Sequence, residues 1–264
     1  MKKMPTEFVF HLFALLISVI LIHSIYLTVI RPNADSVMLE QRVQIETNPD
    51  YVAERSFYVI VRDFEQEACF VLMLWAFSML GYKGWAASRE NKLLAQEFIP
   101  IADGMRILPE DTREYARPIQ SLPAEERKML LPRVLLSALG RFGATRNVQD
   151  VSSSVHTLIV TEAERLESEL SMIRYIAWAI PSIGFIGTVR GIGSALAQAH
   201  RAVEGDISGV TENLGVAFNS TFIALLISIV LMFIIHQLQL MQERQVFETE
   251  NYVDEHLIRH IQSD

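Results

Sequence analysis

An all-α membrane protein with four transmembrane helices and a helical cytoplasmic domain is predicted from three observations. These are four apolar blocks, a lopsided distribution of arginine and lysine, and apolar residues at helical spacing outside the blocks. Apolar residues make up 50% of the 264, more than the core of a soluble domain of this length takes up. The excess is concentrated at Phe8 to Ile30, Ala68 to Tyr82, Tyr175 to Leu196 and Val216 to Ile235. A hydrocarbon core of about 30 Å needs about 20 helical residues, so the first, third and fourth blocks can span unaided. The second is short. Phe57 to Phe64 extends it on one side, apart from Arg62 and Asp63, and Trp85 can anchor the other end. A buried or interfacial helix is the alternative for that block.

Met1 to Lys3 ahead of an apolar stretch has the look of a secretory signal, but the stretch exceeds the roughly 7 to 15 residues of such a segment. The first helix is therefore expected to be retained. Basic residues near span ends set orientation. Arg31 to Glu67 holds four arginines, no lysine and eight acids, whereas Lys83 to Arg174 is rich in both basic residues and is expected on the cytoplasmic side. The expected divisions follow: 1–30 with the first span, a polar periplasmic loop at 31–67, the second span at 68–87, and a cytoplasmic helical domain at 88–172. The third span at 173–197, a short periplasmic loop at 198–212, the fourth span at 213–236 and a cytoplasmic helix at 237–264 complete them. Both termini fall inside a bacterial inner membrane.

Within the cytoplasmic part, Pro100, Pro109, Pro118, Pro123 and Pro132 punctuate short helices. After Asn147 no proline occurs until Pro181, so one long helix is expected to run from Val148 into the third span, through Val155, Leu158, Ile159, Glu162, Leu166, Glu169 and Leu170. A second runs outward from the fourth span through Leu238, Met241, Val246, Phe247, Val253 and Leu257.

The single cysteine, Cys69, excludes an internal disulfide or a cysteine zinc cluster, and the net charge of −8 argues against nucleic acid as a partner. Gly184 to Gly193 is glycine-rich but lacks the lysine of a phosphate loop, and no nucleophile with a paired base is found. Neither an enzyme nor a cofactor is expected, and energy should come from an ion gradient. His256 and His260 have the spacing of a helical metal pair without a third ligand, so no metal site is assigned. His11 and His23, near the ends of the first span, are read as neutral interfacial histidines, with a functional role as the alternative.

The third span carries a stripe of small residues: Ala177, Pro181, Gly184, Thr188, Gly191 and Ala195 alternate at spacings of four and three. The fourth carries Ala217, Thr221, Ala224 and Ser228. Such stripes serve close helix approach and need facing helices, from which a homo-oligomer is expected, with Gly184 and Gly187 setting its packing. Counted from span centres near Phe185 and Ala224, Thr188 and Thr221 each lie about three residues, roughly 4 to 5 Å, from the midplane. Both hydroxyls are thus expected at one depth, where they could hold water or bond a carboxylate in either protonation state. No Asp or Glu lies between Tyr175 and Leu196 or between Asn213 and Ile235. A proton relay on these helices needs its titrating group from elsewhere.

Ala179 to Gly191 resembles the Pro-x-x-Gly-x-x-Gly-Thr-Val-x-Gly signature of the MotA/TolQ/ExbB proton channel family. Ala217 to Leu225 is similar to its second signature, Ala-Leu-x-x-Thr-x-x-Gly-Leu, with Ala224 in place of glycine. The resemblance covers about residues 150 to 240. It implies a homopentamer around a dimer of single-span MotB/TolR/ExbD-like partners, a 5:2 complex in which each partner carries a membrane aspartate. It also implies that Thr188 and Thr221 line a route for H+ or Na+, and that Pro181, Gly184, Gly187, Gly191, Ala217, Ala224 and Ser228 pack the helices and line the pore. Four spans and a large insertion between the second and third are similar to MotA, but the outer segment is long for it. Arg190 either snorkels to the interface or forms a ring of cations that gates or holds the partner. Asn219, just off the stripe, is read as bonding a neighbouring helix, with partner contact as the alternative. A stand-alone transporter or channel is the competing function.

Overall fold

A computed structural model of the chain describes residues 6–48, 51, 54–100 and 105–262. Lys2 and Lys3 lie outside them. The described residues are helical throughout, without a strand; Ile107 and Ile261 form an isolated parallel bridge. The helices are α1 (Thr6–Ile25), α2 (Arg31–Thr47), α3 (Phe57–Ile60), α4 (Phe64–Leu94), α5 (Thr112–Gln120), α6 (Leu130–Thr145), α7 (Val148–Ala197), α8 (Ala199–Val203) and α9 (Ser208–Val253). Among the described residues four helical stretches are long and apolar enough to cross a membrane: Val9–Ile45, Phe64–Leu94, Val148–Ala197 and Ser208–Ile258. The chain divides into two units, Met1–Leu80 with Met172–Ile235, and Gly81–Ser171 with His236–Asp264.

In the first unit the segment expected as a polar loop is largely helix. A π turn, Tyr26–Ile30, joins α1 to α2 without a break, and Pro32 follows it as the second residue of α2. The second span is lengthened at the end opposite to the one the sequence suggested. Phe57–Ile60 stays a separate turn because the chain leaves helical geometry at Val61, and the side-chain amide of Gln66 donates to the Ile60 carbonyl at 3.0 Å across the break. Helix α4 then starts with Glu65 and Glu67 in its first turn, where acids complement the helix dipole, and runs to Leu94.

The second unit has its own core. Along α6, Leu131, Val134, Leu135, Ala138, Leu139 and Phe142 are buried at spacings of three and four. They pack with Val151, Val155 and Ile159 of α7 and with Val246 and Val253 of α9. Arg146 takes a left-handed backbone (φ 56°) to end α6. The Asn147 side-chain oxygen then accepts the N–H groups of Gln149 (2.9 Å) and Asp150 (3.2 Å) to start α7. The long helix expected from Val148 is therefore set by this cap.

Two acids of α7 that fell in its apolar pattern are explained by buried ion pairs. Glu162, only 4% exposed, meets Arg133 of α6 and Arg165, each at 2.5 Å. Glu169 meets Arg165 at 2.9 Å and Lys83 at 2.7 Å. Lys83 is 7% exposed, so removing its partner leaves a buried ammonium. Glu169→Ala is expected to cost about 3 kcal/mol, the low end for an unpaired buried charge. A lowered thermal midpoint of the full chain in detergent, largely restored by the double change Lys83→Met with Glu169→Met, checks this.

Candidate functional site: a threonine pair between two long helices

The small stripes of α7 and α9 face each other inside one chain. A Cβ built on Gly184 would stand 2.4 Å from the Cβ of Ala224, and one on Gly191 would stand 2.7 Å from the Cβ of Ala217. Gly187 is as tight, with the Ser220 Cβ at 2.5 Å. Ala177, Ala195, Ala217 and Ala224 are buried, and Ser220 is 1% exposed. This corrects the reason given above for an oligomer: α9 of the same chain already buries the α7 stripe, so neither stripe calls for a second copy. The faces left outward are large and apolar, among them Phe185, Ile186 and Val189 on α7 and Phe218, Phe222 and Leu225 on α9.

Helix α7 passes through Pro181 unbroken because the carbonyl that proline deprives of its donor finds another. That carbonyl belongs to Ala177, and it accepts the Ser228 hydroxyl of α9 at 3.0 Å. A proline on one stripe and a serine on the other thus satisfy one backbone group jointly.

The two threonines meet between the close approaches at Gly184 and Gly191. Their hydroxyl oxygens are 2.5 Å apart; Thr188 also reaches the Ala217 carbonyl (2.9 Å) and its own-helix Gly184 carbonyl (3.4 Å), and Thr221 reaches the Gly184 carbonyl (3.1 Å). Each hydroxyl has one proton. If both donated to carbonyls, no proton would lie in the 2.5 Å gap and two lone pairs would oppose each other. Two proton orders avoid this. Either Thr221 donates to Thr188, which donates to Ala217, or Thr188 donates to Thr221, which donates to Gly184. The pair is a short hydrogen-bond chain with two polarities. Both threonines are half-buried, so a group brought alongside can accept from the pair or donate to it.

Arg190 is held within the chain. Its guanidinium donates to both oxygens of Glu65 at 2.6 and 2.8 Å, with Asp63 at 3.9 Å. Burial pushes the Asp63 carboxyl above the ordinary carboxylate range, against the opposing pull of Arg62 and Arg190. Sequence reasoning missed these acids because it assigned them to a loop. In the folded chain the Cγ of Glu65 lies 3.2 Å from where a Gly187 Cβ would be, one residue from Thr188. Asn219 lines a groove of about 350 Å³ with Arg42, Arg62 and Glu212 rather than the stripe. His256, from the pair weighed for metal, stacks on Tyr252 at 4.2 Å and has Nδ1 3.1 Å from the Tyr252 carbonyl.

No curated protein and no solved structure matches the chain at a significant level. The sequence profile of the MotA/TolQ/ExbB proton channel family matches residues 126–251. That stretch contains α6, all of α7 and nearly all of α9, and with them both threonines. The similarity to the MotA/TolQ/ExbB proton channel family thus rests on residues 126–251, the stretch that holds the threonine pair.

Proposed function

We propose that the chain is the ring-forming subunit of an ion-driven motor, working with a single-span partner whose membrane aspartate docks beside Thr188 and Thr221. Five copies would surround two partners, and flow of H+, or of Na+, down its gradient would drive one against the other. The observation that carries this reading is the half-buried threonine pair on two helices whose membrane stretches hold no carboxylate. Such a pair can serve an acid in both its charged and neutral forms because it both donates and accepts. A stand-alone channel or transporter would need a carboxylate of its own here. Glu65 is the nearest candidate, but Arg190 occupies both its oxygens.

Orientation belongs to the same proposal. Both termini and the region from Lys83 to Arg174 would lie in the cytoplasm of a bacterial cell, with the Arg31 to Glu67 side outside its inner membrane. Cysteines placed at Asn48 and Ser208 are expected to react with an impermeant thiol reagent from outside, and one at Ser121 is not; Ser263, a further inside position, lies outside the described residues. The reverse pattern overturns the orientation. Native mass measurement of the chain purified with its partner should give five copies to two. A stable monomer or dimer in mild detergent contradicts the ring.

A further inference from the structure

His23, read from sequence as a neutral interfacial residue, sits in the last turn of α1 with Nδ1 2.6 Å from Oε1 of Glu67 in the first turn of α4. The other oxygen of Glu67 accepts from Arg31 at 2.5 Å. The π turn makes this convergence possible. His23 and Arg31 are eight residues apart, a separation that in a regular helix leaves them about 80° apart around the axis. The extra residue of a π turn brings such a pair to within about 20°. Tyr26, in that turn, is 1% exposed, its hydroxyl has no hydrogen-bond partner among the described residues, and the Arg31 guanidinium lies 5.7 Å from its ring centre. None of these residues falls within the stretch that matches the family.

We propose that His23 and Glu67 form a reversible proton-acceptor site, separate from the threonine pair, with Nε2 of His23 as the accepting atom. A carboxylate paired with arginine only accepts hydrogen bonds, so the nitrogen facing it carries a proton. In the neutral ring that proton on Nδ1 leaves the lone pair on Nε2. The His23 side chain is 52% exposed against 11% for Glu67, so the free edge of the ring is the accessible part of the cluster. A hydronium ion gives its proton to Nε2 and leaves as water; the imidazolium that results keeps Nδ1–H on Glu67. Arg31 and Glu67 cancel, so the cluster passes from neutral to singly positive. Around Tyr26 of the π turn, which belongs to the same cluster, the charged and titratable groups are Glu67, Cys69, Arg31 and Asp63.

The test uses the full chain in lipid nanodiscs, labelled with 15N-histidine, with H23Q identifying the His23 signals. Expected for the neutral ring is the Nδ1–H tautomer of His23, and on acidification a proton added at Nε2 with Nδ1–H kept. In E67M the neutral ring should revert to the Nε2–H form that free imidazole prefers, while E67D, which keeps a carboxylate, should retain Nδ1–H. An Nε2–H tautomer in the unmodified chain, a ring that takes no proton at Nε2 on acidification, or a tautomer that E67M leaves unchanged would overturn the proposal. No partner and no ion flux enter this measurement, so its failure leaves the channel reading standing, and a failure of that reading leaves this site testable.

Discussion

Changing Thr188 and Thr221 together to valine is expected to leave the chain folded and bound to its partner while lowering ion-driven activity by a hundredfold or more. Valine has nearly the shape of threonine, so the close approach of α7 and α9 survives; only the two hydroxyls are lost. A hydrogen bond to a charged group is worth about 1.5 to 3 kcal/mol, and about 1.4 kcal/mol is tenfold in rate. Each single valine variant should therefore slow the cycle by about tenfold or more, because either proton order needs both oxygens. Serine at either position keeps the hydroxyl but loosens its rotamer, and should retain part of the activity. Activity is read as flux in liposomes holding both proteins, and assembly as copurification; undiminished flux in the double valine variant would remove the pair from the ion route.

Gly184→Leu is expected to prevent folding of the first unit altogether. The added Cβ alone meets the Ala224 Cβ at 2.4 Å and the Ser220 carbonyl oxygen at 3.0 Å. Both neighbours are fixed by helix backbone, so neither can swing away. Gly184→Ala introduces only that first carbon and should cost about 1 to 3 kcal/mol, the usual penalty for overpacking. Gly187→Leu should behave like Gly184→Leu, since Ser220 blocks it. These losses belong to packing within one chain: they should appear as low yield and early unfolding in denaturing detergent even without a partner. By contrast Gly193, whose Cβ would meet nothing within 4 Å, should accept alanine with little change.

The parts of the fold legible in the sequence were those written in a single period. The stripes of α7 and α9 predicted each other's neighbours, and Thr188 and Thr221 meet as counting residues from the span centres suggested. The proline-free stretch from Val148 marked where α7 begins, and the helix runs on through Pro181 to Ala197. What the sequence hid were the contacts that join distant segments. Nothing in the order of residues says that Glu65 turns to Arg190 while Glu67, two positions on, turns to His23. That follows from α4 starting at Phe64, where an apolar reading of Phe57 to Phe64 had extended the span. His23 and Arg31 looked unrelated because a regular helix separates them, and a π turn leaves no compositional mark. Glu162 and Glu169 stood out as acids in an apolar pattern, but their cations, Arg133 and Lys83, come from other helices. The stripes themselves gave no ground for an oligomer, since the facing helix was already present in the same chain.

The decisive measurement is proton flux into liposomes that hold this chain alone, set against liposomes that hold it with the proposed single-span partner. The threonine pair has no unpaired carboxylate of its own, so the chain alone should pass protons no faster than empty vesicles, and flux should appear only with the partner and vanish when the partner's membrane aspartate is changed to asparagine. Full flux from the chain alone would show that it carries a complete ion route and would contradict the shared site.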